Sequence, residues 1–66
     1  METYWRVVSS YRQDHRDLRE GQIFFNCFAM LNKQMAIFAT GKEFDPFYDD
    51  ERIPLFLEFV EGVLGK

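Results

Sequence analysis

The sequence predicts an all-α fold: a small bundle of three main helices with a short fourth helix between the second and the third, and no sheet. The first observation behind this prediction is that apolar residues recur at helical spacing in each main segment. The second is that no run of alternating apolar and polar residues is bounded by hairpin turns. Because the chain has 66 residues, we expect one domain spanning residues 1–66.

The first helix is predicted over Thr3–Asp14, with Thr3 as its N-cap. The charged segment 15–20 follows as a connection, in which Leu18 is the apolar anchor and Asp17 is a candidate cap for the next helix. The apolar residues of the first helix fall at positions i, i+3, i+4 and i+7 and therefore share one face: Tyr4, Val7, Val8 and Tyr11.

The second helix is predicted to begin near Leu18–Gly21, to end at about Asn32, and to be the element on which the others pack. More than half of its circumference is apolar, which is typical of a helix enclosed by its neighbours. Its main apolar stripe consists of Phe24, Cys27, Phe28 and Leu31, and Ile23 and Met30 widen this stripe. Phe25 lies outside it.

A break at Asn32–Lys33 and a short third helix over Gln34–Thr40 are predicted next. Gly41 is predicted to be the left-handed residue that follows the end of this helix. One continuous helix over 21–40 fits the same pattern, so the sequence leaves both arrangements open.

The segment 43–51, called the acidic loop below, combines carboxylates with aromatic rings. The rings are too many for a solvated loop, and we expect at least two of Phe44, Phe47 and Tyr48 to pack back on the helices. The dipeptide Asp45–Pro46 favours a turn that is capped by Asp45.

The last helix is predicted to begin with Asp49 or Asp50 as its N-cap, to accept Pro54 in its first turn, and to end at Gly65. Its first apolar stripe faces the core and consists of Ile53, Phe56, Leu57, Val60 and Leu64. Across the whole chain, the predicted core contains Val8, Phe24, Cys27, Phe28, Leu31, Phe56 and Val60.

A second apolar stripe on the last helix predicts self-association through Leu55, Phe59 and Val63. A homodimer or larger homo-oligomer would bury three large side chains from each copy, and this would offset part of the entropic cost of so small a core. The alternative is that aromatic rings of the first helix and of the acidic loop enclose both stripes: Trp5, Phe44 and Phe47.

The net charge of −3 is distributed unevenly along the chain. Residues 1–33 carry five Lys/Arg and four Asp/Glu, whereas residues 34–66 carry three and seven. Direct binding to nucleic acid is not expected, because a phosphate-neutralising set of basic residues is missing. No apolar run reaches the ~18 residues of a membrane-spanning helix and no signal peptide is visible, so we expect a cytoplasmic protein that does not bind a membrane.

Cys27 and His15 are the only cysteine and the only histidine of the chain. An internal disulfide and a closed zinc site of Cys and His ligands are therefore excluded. The pair does not suggest a nucleophile and its base, since His15 lies in a charged turn and Cys27 on the apolar stripe of the central helix. Without a Gly-rich phosphate loop or a paired-carboxylate cleft, we expect no enzyme, no catalytic residue, no cofactor and no metal.

The acidic loop is the main candidate for binding a protein partner. Carboxylates beside aromatic rings form a face that complements basic groups on another protein. Two alternatives are that the carboxylates cap helices and are otherwise solvated, and that they bind a divalent cation, although the spacing of a calcium loop is missing. The candidate partner-binding residues are Asp45, Phe47, Tyr48, Asp49, Asp50 and Glu51.

A second candidate site consists of Arg19, Gln22 and Asn26. Gln22 and Asn26 lie one turn apart on an otherwise apolar helix, so they could hydrogen-bond a small ligand in a groove or between protomers. The other interpretation is that they tie neighbouring segments of the chain together, because buried amides need partners. Arg19 is also a candidate ion-pair partner for Asp49 or Asp50.

Several residue groups occur in a fixed order between Tyr4 and Val60: Arg19-Glu20-Gly21-Gln22, Phe25-Asn26, Gly41, Asp45-Pro46-Phe47-Tyr48-Asp49-Asp50, Phe56-Leu57 and Val60. In these groups the chain resembles a family of small, largely uncharacterised proteins associated with bacteriophages and with bacterial genomes that carry phage genes. The chain departs from that pattern at Lys33 and Lys42, where relatives tend to have Pro and Thr. The resemblance transfers no functional residue. It implies an accessory protein that binds and inhibits a host protein, or that sequesters a ligand.

Two functional hypotheses follow. The first is an acidic protein-interaction module that binds a host or phage protein through the acidic loop. The second is a small-ligand binding or sequestering protein with a pocket at Arg19, Gln22 and Asn26. Exposed rings around the acidic loop would favour the first, and a concave pocket that holds the amides would favour the second.

Overall fold

A computed structural model describes residues 1–65, and the all-α prediction is confirmed, because within that range there are four α-helices, one short 3-10 turn and no strand. The central element is α2, since the other three helices and the 3-10 turn all contact it. The elements are α1 (Glu2–Asp14), α2 (Glu20–Leu31), α3 (Lys33–Ala39), the 3-10 turn (Asp50–Arg52) and α4 (Ile53–Leu64).

The start of α1 differs from the prediction, because Met1 and not Thr3 is the N-cap. The carbonyl oxygen of Met1 accepts the N–H of Trp5 at 3.1 Å, so the backbone is already helical at Thr3 and the Thr3 hydroxyl is not in the capping position. At the other end, the ring of His15 stacks on that of Tyr11, with centroids 3.8 Å apart.

The start of α2 is also capped differently from the prediction. Asp17 is not the cap, because the helix begins only at Glu20 and Arg19 is the N-cap residue. The side chain of Gln22 accepts the backbone N–H of Arg19 at 3.1 Å, which satisfies one of the donors at this end. Leu18 is half-buried against the core, as expected for the anchor of the connection.

Asn32 separates α2 from α3, so the alternative of one continuous helix is wrong. Its backbone leaves the helical region (φ −151°, ψ 83°), and its side-chain oxygen accepts the N–H of Met35 at 3.1 Å. One residue thus ends the first helix and caps the second. Gly41 follows α3 with φ 79°, in the left-handed region, as predicted.

The core forms where α2 meets α1, α3 and α4, and six of the seven predicted core residues are buried. The prediction for Leu31 is wrong, since it is 39% exposed, and Met30 is 64% exposed. Both project from the last turn of α2, where fewer side chains are available to cover them. The buried apolar residues are Tyr4, Val8, Ile23, Phe24, Cys27, Phe28, Ala36, Ala39, Phe56 and Val60.

Aromatic rings form a continuous series through this core. Neighbouring ring centroids lie between 4.9 Å and 6.2 Å apart, the range in which edge and offset contacts are favourable. In order, the rings are Phe38, Phe59, Phe28, Phe56, Phe25, Phe47 and Tyr48. On the side of α1, Trp5 meets Tyr4 and Phe24 edge to face, at 5.3 Å and 5.9 Å.

The start of α4 differs from the prediction in its cap, because Arg52, and neither Asp49 nor Asp50, is the N-cap residue of α4. The Asp49 carboxylate accepts the N–H of Glu51 at 3.0 Å and caps the 3-10 turn, and Pro54 lies in the first turn of α4. Phe44 and Phe47 are half-buried against the core, so the expected packing of two loop rings is confirmed.

Candidate functional site

The first half of the acidic loop is held from inside by Asp45, which is only 8% exposed. Its two carboxylate oxygens accept different backbone N–H groups, Oδ2 that of Gly41 at 2.8 Å and Oδ1 that of Phe47 at 2.9 Å. Hydrogen bonds to a charged acceptor are stronger than those between neutral groups. The backbone below Tyr48 is therefore fixed by a buried carboxylate.

The second half of the acidic loop is attached to the start of α2. The Asp50 carboxylate accepts the N–H of Gly21 at 3.0 Å, and the Arg19 guanidinium donates to the carbonyl oxygen of Phe47. The ring of Phe47 also meets Phe25 of α2 edge to face, with centroids 5.7 Å apart. These contacts join residues that lie far apart in the chain.

The acidic loop comes this close to α2 because residue 21 is glycine. A Cβ on Gly21 would lie 2.1 Å from the carbonyl oxygen of Pro46 and 2.6 Å from Oδ1 of Asp50. Both distances are far inside van der Waals contact, and the nearer atom belongs to the backbone. The absence of a side chain at Gly21 is therefore a condition for the docked position of the loop.

Tyr48 lies at the surface of the acidic loop and is 83% exposed. Its ring meets that of Phe47 edge to face, with centroids 4.9 Å apart, so one side of Tyr48 is supported and the rest faces solvent. Among the exposed large apolar side chains of residues 1–65, Tyr48 has the largest exposed fraction.

The carboxylates around Tyr48 have different roles. Asp49 pairs with Arg52, with Oδ2 and Nε 3.5 Å apart, in addition to capping the 3-10 turn. Glu43 and Glu51 are exposed. The acidic loop itself contains five Asp/Glu and no Lys/Arg, and Lys42 and Arg52 flank it.

Of the six predicted partner-binding residues, the structure brings five to the surface in whole or in part. Tyr48, Asp50 and Glu51 are exposed, and Phe47 and Asp49 are half-buried. Asp45 is a correction, because both of its oxygens are used inside the loop and it is too buried to contact a partner.

The predicted ligand-binding residues make internal hydrogen bonds. Asn26 donates to the hydroxyl of Tyr11 at 3.1 Å, and Gln22 accepts from the backbone of Arg19. The predicted ion pair of Arg19 with Asp49 or Asp50 is wrong, because Arg19 donates to a backbone carbonyl while the two carboxylates bond elsewhere. Asn26 thus ties α2 to α1, which is the second of the two interpretations, whereas Gln22 makes a local cap at the start of α2.

Cys27 lies in the core, whereas His15 lies at the end of α1 with its ring stacked on that of Tyr11. Cys27 is fully buried, and burial raises the pKa of its thiol to about 11, with Arg12 partly opposing the shift. The buried hydroxyl of Tyr4 donates to the carbonyl oxygen of Phe24 at 2.8 Å, and burial, with a contribution from Cys27, raises the pKa of Tyr4. Within residues 1–65, no three His, Cys, Asp or Glu side chains are grouped as metal ligands.

The predicted self-association stripe is not one exposed face. Leu55 is 54% exposed, but Phe59 and Val63 are half-buried. The exposure expected for Phe59 is wrong, because its ring packs against Phe44 at 4.6 Å and against three further rings of the core. Phe44 thus covers Phe59, which agrees with part of the alternative, but Leu55 stays exposed. Trp5 and Phe47 pack against rings of other elements.

A groove beside α1 was not predicted. It is open, has a volume of about 470 Å³, and lies between α1 and the exposed side chain of Met30. The groove would have been indicated by two rows on α1 whose residues are four positions apart in the sequence, together with the exposure of Met30. Its lining residues are Thr3, Arg6, Val7, Ser10, Tyr11, Asp14, His15 and Met30.

No helix within the described residues is long and apolar enough to cross a membrane. Comparison of the chain with protein-family models, with curated proteins and with solved structures gives no match.

Proposed function

We propose that this chain is a protein-interaction module that binds a basic surface of another protein through the acidic loop, with Tyr48 at the centre of the contact. The observation that carries the proposal is that Tyr48 is 83% exposed although the loop below it is fixed by hydrogen bonds. A ring whose backbone is already ordered loses little conformational entropy on binding. Tyrosine is also enriched at protein interfaces, and among the residues that dominate their energy.

The charges around Tyr48 define the chemistry of the partner. The acidic loop carries five acidic residues, of which Glu43, Asp50 and Glu51 are exposed. A guanidinium on the partner could stack on the ring of Tyr48 and meet these carboxylates at the same time. We therefore expect a partner surface that presents arginine.

The biological setting of the proposal comes from the resemblance to small phage-associated proteins. In that setting the partner is a protein of the host or of the phage, and binding inhibits it. We place the interaction in the cytoplasm, where an unpaired thiol such as that of Cys27 stays reduced. We assign no catalytic role to any residue.

The small-ligand hypothesis has less support. The amides of Gln22 and Asn26 already make hydrogen bonds inside the chain, and the groove beside α1 is lined by other residues. Arg19 is likewise engaged by the carbonyl oxygen of Phe47. A ligand at these three residues would have to replace existing bonds.

Affinity capture with the immobilised chain tests the proposal. Wild-type protein and Tyr48→Ala are exposed to the same bacterial lysate, and bound proteins are quantified by mass spectrometry. We expect at least one basic protein that binds the wild type, is reduced about tenfold or more by Tyr48→Ala, and is released by salt, because a Tyr at the centre of an interface contributes ~2 kcal/mol or more.

Ile37→Ala is the matched control, since Ile37 is 63% exposed on α3 and lies outside the acidic loop. It should capture the same protein as the wild type. Circular dichroism of both variants should match the wild type, because both side chains are exposed. The proposal fails if Tyr48→Ala captures the same proteins in the same amounts, or if Ile37→Ala loses the partner equally.

A further inference from the structure

The groove beside α1 is built from two rows of residues at spacing four. One row is Thr3, Val7 and Tyr11, and the other is Arg6, Ser10 and Asp14. Rows of this spacing are the ridges that interlock when two helices pack in the commonest class of helix contact. This face of α1 thus has the pattern of a helix-packing surface, although no helix within residues 1–65 covers it.

The charges on the second row are arranged to match a copy of themselves. Arg6 and Asp14 lie eight residues apart on α1, about 12 Å along the axis, with the small residue Ser10 midway between them. In an antiparallel pair centred on Ser10, Arg6 of each copy would face Asp14 of the other. Within residues 1–65 Asp14 makes no ion pair, and the pair of Arg6 with Glu2 is almost fully exposed.

We propose that the groove beside α1 is the site at which a second copy of the chain binds, with the two α1 helices antiparallel about a two-fold axis near Ser10. Each copy contributes the same face, as a two-fold contact requires. The association buries Met30, which is 64% exposed, together with the exposed parts of Val7 and Tyr11. The two Arg6–Asp14 pairs fix the direction and register of the helices.

The size of the face determines the strength of the dimer. Stable interfaces bury about 800 Å² per partner. One face of a 13-residue helix with Met30 offers less than that, so we expect dissociation in the micromolar range. No residue of the acidic loop lines the groove, so the dimer leaves Tyr48 free, and this inference does not depend on the proposed function.

Sedimentation velocity over a concentration range of about 5 to 500 μM tests the inference by charge reversal, because dissociation in the micromolar range falls inside it. Wild-type protein should pass from the monomer mass towards twice that mass. Arg6→Asp and Asp14→Arg should each weaken the dimer by about tenfold or more, since each places like charges across the axis. The double variant restores opposite charges and should return to within about threefold of the wild type.

Two further variants make the test specific to this face. Met30→Lys places a charge in the groove and should also weaken the dimer, whereas Ile37→Lys, on an exposed position of α3, should not. Wild-type protein at the monomer mass throughout the range would overturn the inference. So would a double variant as weak as the single ones, or an Ile37→Lys variant that dissociates as far as Met30→Lys.

Discussion

At the scale of single residues, Gly21 decides where the acidic loop can lie. Gly21→Ala should destabilise the fold by ~1–3 kcal/mol, because the new Cβ would meet the backbone carbonyl of Pro46 at 2.1 Å and force the loop away from α2. Alanine is the better helix former, so its intrinsic preference acts in the opposite direction. Denaturant unfolding of the wild type and the variant measures the difference.

Gly62→Ala is the matched control for Gly21→Ala, since it makes the same substitution inside a helix. A Cβ at Gly62 would meet nothing within 4 Å, so only the helix preference acts there. We expect Gly62→Ala to stabilise the protein by ~0.5–1 kcal/mol. If both substitutions stabilise equally, the close approach at Gly21 is not what holds the loop.

Because of Cys27, the stability of the fold should depend on pH in the alkaline range. Burial raises the pKa of Cys27 from 9.0 to about 11 in the folded chain, so the thiol stabilises the fold fully below about pH 9 and loses that contribution as the pH rises towards about 11. The melting temperature should therefore fall between about pH 9 and about pH 11.

Cys27→Ala separates this effect from other alkaline effects, because it removes the titrating thiol. Tyr4, whose pKa is raised by burial and to a smaller extent by Cys27, begins to act only above about pH 10. The variant should be less stable than the wild type at neutral pH, since it leaves a small cavity. Its melting temperature should nevertheless fall less steeply over the same pH range. Parallel curves for the two proteins would refute the role of Cys27.

At the scale of the element, the conformation of the acidic loop depends on the buried carboxylate of Asp45. Asp45→Asn keeps the shape but gives only one side-chain oxygen for the two N–H donors of Gly41 and Phe47. We expect a loss of ~1–3 kcal/mol in the free energy of unfolding, the cost of an unsatisfied buried group. Glu43→Gln, an exposed change in the same loop, should alter it by less than ~0.5 kcal/mol.

The helices were predictable from the sequence because their apolar residues recur at helical spacing. The caps of the helices were less predictable, because the side chain that accepts a hydrogen bond at a helix end can belong to a residue far away in the sequence. Asp50 lies 29 residues after Gly21 and accepts its N–H, a contact that no local pattern encodes. Asn32 was predicted as a break, but its side-chain hydrogen bond to Met35 was needed to exclude a continuous helix.

At the scale of the whole molecule, the series of aromatic rings joins α2, α3, α4 and the acidic loop, and Phe28 lies inside it with no exposed surface. Phe28→Ala should cost ~3–5 kcal/mol, the usual range for a core Phe. A chain of this length has roughly 3–10 kcal/mol of stability in total, so the variant should be largely unfolded or only weakly cooperative.

Thermal denaturation followed by circular dichroism measures this effect. Tyr48→Ala is the comparison, because it removes an exposed ring from the end of the same series and should change stability by less than ~0.5 kcal/mol. A cooperative melt of Phe28→Ala near the wild-type temperature would show that the core does not depend on Phe28.

Part of the candidate site was predictable and part was not. The sequence identified the acidic loop and its rings, because carboxylates and aromatic residues are visible in one short segment. It did not distinguish Asp45, which is buried, from Glu51, which is exposed, since both are acidic residues in the same loop. The groove beside α1 was missed because Met30 was counted with the apolar stripe of the second helix, whereas its exposure depends on how α2 ends.

The position of Trp5 has a spectroscopic consequence. Trp5 is the only tryptophan, and it lies on α1 against Tyr4 and Phe24, outside the series of rings that ends at Tyr48. Its fluorescence therefore reports whether α1 is docked on α2, and it does not sense the surface of the acidic loop directly. A partner titrated onto the acidic loop should leave the emission maximum unchanged, whereas detachment of α1 should shift it to the red, so one fluorophore distinguishes binding from unfolding without any label.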